Sequence, residues 1–149
     1  MKEALLAAQE AFFSGEVPVG AVAVHNGEIL ARSGNLRETR QDPTAHAEIL
    51  VLQEAAKKLG RWHLEGVTVY VTLEPCPMCA GAMVQARVER LVFGAPDSRM
   101  GAAGSTLNVV DHPAFSHRLE VVGGIMEEEG RVLLQKFFQE RRKEKKIPD

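Results

Sequence analysis

Cysteine is nearly absent from this 149-residue chain; the two present, Cys76 and Cys79, are too few to staple a secreted framework. No apolar run approaches the roughly 20 residues that span a bilayer. The apolar opening segment is broken by Gln9 and Glu10 before it forms the core of a secretory leader. Neither sign of charge dominates, since 18 Lys and Arg against 20 Asp and Glu leave a formal net charge of -2. A surface coated in basic residues is excluded, so any contact with nucleic acid must rest on a local patch. Repeats, linkers and low-complexity tracts are also missing. These absences point to a cytoplasmic protein with no membrane segment. Residues 1–149 read as a single domain, long enough to bury about 70% of its unfolded surface.

What is present is an alternation of helical and strand patterns. Residues 2–14 place Leu5, Leu6, Ala8, Phe12 and Phe13 near helical spacing, and Gly15 stops them. Residues 19–24 and 29–33 flank Asn26-Gly27, the dipeptide that suits a type I′ hairpin turn. Asp42-Pro43-Thr44 offers a helix start and Gly60 a stop, and with either Asp42 or Thr44 as cap His46 falls in the first turn. Residues 67–73 read as a buried strand, 75–87 as a helix and 88–94 as another strand, which implies a right-handed parallel crossover. A last strand at 119–122 and a helix from Glu127, burying Val132, Leu133, Phe137 and Phe138, close the chain. Adjacent Phe137 and Phe138 cannot both face the core from one helix side, so either both pack at its edge or one packs inside while the other meets RNA or a partner. The order predicts an α/β fold, a three-layer α/β/α sandwich around a five-stranded mixed sheet.

In a reducing compartment Pro75-Cys76-Pro77-Met78-Cys79 suggests metal binding or redox chemistry. Residues i and i+3 share a helix face, and a helix N-terminus favours the thiolate. His46 supplies a third ligand, and three nitrogen and sulfur donors with an open fourth position describe a catalytic zinc site. Glu48 lies two residues beyond His46, off its lateral face, but in a first turn both can project toward the helix end. A thioredoxin-like reading leaves His46 and Glu48 without a task, and a structural zinc site needs a fourth ligand that does not appear. His25, His63, His112 and His117 lack ligand spacing. His-x-Glu followed by Pro-Cys-x-x-Cys is the pattern of zinc-dependent nucleobase deaminases. It predicts one Zn2+ per subunit that activates water, with Glu48 moving the protons.

Three segments carry a closer resemblance: Glu16-Val17-Pro18-Val19-Gly20, Asp42-Pro43-Thr44-Ala45-His46-Ala47-Glu48, and Thr72-Leu73-Glu74-Pro75-Cys76-Pro77-Met78-Cys79-Ala80-Gly81-Ala82. They look like the bacterial tRNA-specific adenosine deaminases of the cytidine deaminase-like superfamily. The resemblance implies hydrolytic conversion of the wobble adenosine to inosine in a tRNA anticodon loop, typically that of an arginine tRNA, by a homodimer. It also implies that Asn35 hydrogen-bonds the flipped base or its sugar and that Asp97 touches an RNA sugar, although both residues also suit turns. Arg141, Arg142 and Lys143 end the last helix and either grip RNA phosphates or simply favour a helix C-terminus. Two alternatives stand: a guanine or cytosine deaminase acting on a free base or nucleoside, and a noncatalytic zinc or RNA-binding module.

Overall fold

The structure is a computed structural model that describes residues 1–145. In chain order its elements are α1 (Lys2–Phe13), β1 (Gly20–His25), β2 (Glu28–Gly34), α2 (Arg37–Arg40), α3 (Ala47–Leu59), β3 (Val67–Leu73), α4 (Pro77–Gln85), β4 (Arg90–Ala95), β5 (Glu120–Val122) and α5 (Glu127–Lys145). The five strands form one sheet in the order β2-β1-β3-β4-β5. β1 runs antiparallel to β2 and β3, whereas β3, β4 and β5 run parallel. The sheet is therefore mixed, as the sequence pattern requires.

The hairpin forms where expected. Asn26 and Gly27 both take positive φ, 50° and 78°, and His25 pairs with Glu28 across them, the twist-matched turn for adjacent antiparallel strands. β3 is central, and its Val67, Val69 and Val71 are fully buried on one face. That face meets α3 through Val51 and α4 through Ala80 and Met83, with Leu64 of the α3–β3 connection packed beside them. The opposite face meets α1 and α5. α1 turns Ala4, Ala7, Ala8 and Ala11 inward, and a Cβ on Gly20 would stand 1.9 Å from the carbonyl oxygen of Ala4. Small residues on both surfaces thus let helix and sheet backbones approach directly. Phe137 of α5 packs edge-on against Phe12 of α1, with ring centroids 5.9 Å apart.

Several boundaries differ from the sequence expectation. α3 begins at Ala47, with His46 as its N-cap in an extended conformation. Asp42 does not cap the helix; its Oδ1 accepts the N–H and hydroxyl of Thr44 at 2.8 and 2.7 Å. That side chain closes a local turn before the helix, which is the competing use open to Asp. The metal-motif helix starts later too, at Pro77, with Cys76 as N-cap. The short α2 carries no apolar period and was not expected. In α5, Phe137 is buried, but Val132 is 50% and Phe138 47% exposed rather than buried, because successive residues on a helix point about 100° apart. Among the described residues no helix is long and apolar enough to cross a membrane.

Candidate active site

The N-termini of α3 and α4 bring His46, Glu48, Cys76 and Cys79 together. Both cap residues, His46 and Cys76, are extended (φ -72° in each), so their side chains leave the helix end rather than its flank. Pro77 at the first helical position needs no N–H partner and holds the φ that starts α4. The cap geometry explains how an i, i+2 pair shares one site: His46 stands outside the helix, and Glu48 lies inside its first turn.

His46 Nδ1 lies 3.7 Å from Cys76 Sγ and 3.4 Å from Cys79 Sγ, and the three donor atoms all fall within 4.8 Å of one another. A tetrahedral zinc with Zn–S near 2.3 Å and Zn–N near 2.05 Å sets the N···S edge at about 3.6 Å. The two observed N···S edges bracket that length, so the spacing of His46 from both sulfurs suits such an ion. The thiols are already polarised. A hydrogen bond from Cys79 pushes the Cys76 thiol down to about 4, against the opposing effect of burial and with help from His46. The same bond, with burial, pushes Cys79 up. The pair thus holds a proton that cation binding would release. The hydrogen bond to Cys76 raises the pKa of His46.

Glu48 is only 4% exposed, and burial raises its carboxyl above the ordinary range. A carboxyl so placed carries a proton more readily near neutrality than a surface glutamate does. It faces a cavity of about 430 Å³ that is also lined by Val17, Val19, Asn35, Arg37, His46, Ala47, Leu73, Glu74, Cys76, Asp97, Met100 and Phe138. A second groove of about 610 Å³ continues from it, sharing Val17, Leu73, Asp97, Met100 and Phe138 and adding Arg99, Arg141, Arg142 and Lys145.

Asn35 and Asp97 both reach the cavity while also making turns. Asn35 Oδ1 accepts the N–H of Arg37 at 3.0 Å, opening α2. Asp97 Oδ1 accepts the N–H groups of Arg99 and Met100 at 2.9 and 3.2 Å. Arg141 and Arg142 line the groove, but Lys143, although exposed, does not. Arg141 also donates to the Gly15 carbonyl at 2.6 Å and covers the Phe137 ring.

Two further residues of the sequence motifs, Glu16 and Glu74, are buried carboxylates with structural tasks that sequence reasoning missed. Glu16 is fully buried and accepts the Glu38 N–H at 3.0 Å and the N–H and hydroxyl of Thr39 at 2.6 Å each. It therefore anchors α2 and, through it, the wall bearing Asn35 and Arg37. Burial alone would raise its pKa, but the bonds from Thr39 and Glu38 hold it below the ordinary range. Glu74 serves the opposite wall. The sequence signal for both was an acidic residue beside apolar neighbours and near a proline.

The MafB19-like deaminase family profile matches residues 1–142. The chain belongs to the MafB19-like deaminase family. This deaminase is 58% identical over 146 residues to the tRNA-specific adenosine deaminase of Bacillus subtilis, covering 98% of this chain and 91% of that one. It is 48% identical over 148 residues to the tRNA-specific adenosine deaminase of Haemophilus influenzae, covering 99% and 86%. A solved structure from work on A-to-I editing by tRNA:A34 deaminases superposes with a TM-score of 0.87 at 44% identity, covering 90% of this chain and 97% of that one. The sheet and its helical layers are thus those of the cytidine deaminase-like fold.

Proposed function

We propose that this deaminase hydrolyses the wobble adenosine of a tRNA anticodon loop to inosine and releases ammonia. The observation that carries the reading is the continuity of the cavity beside Glu48 with a groove bearing Arg99, Arg141 and Arg142. A free base needs only the cavity, whereas a polyanionic strand also needs cations along its path. The identity to tRNA-specific adenosine deaminases over nearly the whole chain supports the same choice.

His46, Cys76 and Cys79 would hold one zinc ion per subunit. Bound there, zinc would lower the pKa of water to about 7 and so supply the nucleophile at neutral pH. Glu48 takes one of the attacking water's two protons at a carboxylate oxygen and delivers it to N1 of the purine as the C6–O bond forms. It then carries the second proton to the exocyclic nitrogen, the C6–N bond breaks, and ammonia leaves. Asn35, whose Oδ1 is occupied by the Arg37 N–H, offers its amide N–H to the nucleotide. Asp97 meets a sugar of the RNA, and Arg141, Arg142 and Lys143 meet phosphates. Unpaired loop bases are cheap to extrude, which suits an enclosed cavity. The enzyme works in the cytoplasm as a single-domain subunit of a homodimer.

The test offers purified enzyme an anticodon stem-loop with a wobble adenosine beside free adenosine, cytosine and guanine, and measures inosine, uracil and xanthine. Inosine formed in the loop supports the reading. Activity confined to guanine or cytosine overturns it in favour of a free-base deaminase, and bound zinc without ammonia release would mark a noncatalytic module.

A further inference from the structure

Segment 97–105 forms one wall of the cavity, yet it contains neither helix nor strand, only a single bridge from Ala103 to Asn108. Its support comes from a residue far away in sequence. Glu74 follows β3 and is 2% exposed. Its Oε1 accepts the N–H of Asp97 at 3.1 Å and the hydroxyl of Ser105; its Oε2 accepts the N–H groups of Ala103 and Ser105 at 2.9 and 3.1 Å. No described cation pairs with it, so these donors alone compensate the burial of its carboxylate. The Ala102 N–H adds a bond to the Pro75 carbonyl at 2.9 Å. Gly101 is pressed so close that a Cβ there would lie 2.5 Å from the Glu74 carboxylate.

We infer that Glu74 is a positioning residue for the reaction: its carboxylate ties segment 97–105 to the Pro75-Cys76 turn and so sets where Asp97 and Met100 meet the substrate. The geometry separates this task from metal binding. Among the described residues no hydrogen bond joins Glu74 to either sulfur donor, while each of its acceptors is spent on the segment that faces the bound nucleotide. A Gln side chain has the same shape, but it turns an NH2 group toward donors that need an acceptor. The wall then loses its register against the metal turn without a cavity opening in the core.

The experiment compares the full chain with Glu74→Gln and Ser105→Ala variants. It reads zinc content, amide hydrogen exchange at Asp97, Ala103 and Ser105, and kcat and KM on the anticodon stem-loop. Glu74→Gln is expected to keep the parent's zinc content and to exchange faster at those amides. Its KM should rise on the order of tenfold or more, with a smaller change in kcat, because displaced substrate contacts cost steeply with distance. Ser105→Ala, which removes one donor, moves the same readouts less. Parental exchange and KM in folded Glu74→Gln overturn the inference, and so does loss of zinc and kcat at unchanged KM. If Glu74→Gln does not fold, Ser105→Ala decides by the same two readouts. The kinetic arm rests on the tRNA reading. If the parent ignores the stem-loop, that reading fails by itself, and KM is then measured on whichever base the parent deaminates.

Discussion

His46 Nδ1 lies 3.4 Å from the sulfur of Cys79 across 33 residues of sequence. The contact joins the ends of two helices that pack on the same face of the sheet, and each contributes its donor from the first turn or the cap just before it. Replacing Cys79 by Ser should therefore drop zinc stoichiometry to a small fraction of the parent's and abolish turnover together. Metal analysis beside an ammonia-release assay checks this, and activity retained by a zinc-depleted variant would contradict the assignment.

Glu48 shares the site but is not one of the three clustered donors. Glu48→Ala should keep parental zinc content while kcat falls by about 10²- to 10⁴-fold, the usual contribution of a positioned proton carrier. A variant that loses its metal would show instead that Glu48 supports the ligands.

Glu16 makes stability depend on acid. Its folded-state pKa is held below the ordinary range by the Thr39 and Glu38 donors despite burial, so it lies below that of the unfolded chain. The stabilisation is then complete above the ordinary glutamate value, about 4.3, and is lost as pH falls through the lowered folded value. Glu16→Ala leaves three donors without their acceptor and should cost about 1–3 kcal/mol at neutral pH. Urea unfolding at pH 7 and pH 3 should show the gap between parent and variant shrinking in acid; a gap that widens would refute the sign.

Phe137 and Phe138 are neighbours with different tasks, since the first is buried and the second is 47% exposed and lines the cavity. Phe137→Ala should destabilise by about 3–5 kcal/mol, as for other buried phenylalanines. Phe138→Ala should leave the melting temperature close to the parent's and raise KM for the stem-loop. Calorimetry with steady-state kinetics distinguishes them, and equal melting shifts would sink the division of labour.

The three residues that could hold a metal were legible in the sequence because each part obeys a local rule. Cysteines three apart share a helix end, a proline starts that helix, and His-x-Glu precedes an apolar helical period. The strands were legible for a similar reason, since β-branched runs such as Val67–Leu73 suit buried β structure. The caps were less so. Asp42, His46 and Thr44 all lie near the start of α3, and sequence spacing does not say which side chain is consumed by a local turn.

What the sequence determined by itself was the set of chemically active groups and the alternation that forms a mixed sheet under helices. Only the tertiary structure decided how they meet. It set the N···S edges at 3.4 and 3.7 Å and turned Phe138 of α5 toward a cavity built mostly from the first 100 residues. It also assigned Glu16 and Glu74 to opposite walls of the site, through donors 22 to 31 residues away. Local periodicity records which face of an element is apolar. It does not record which distant N–H groups converge on a buried carboxylate, because that depends on how the elements pack and on burial, where an unpaired group is costly.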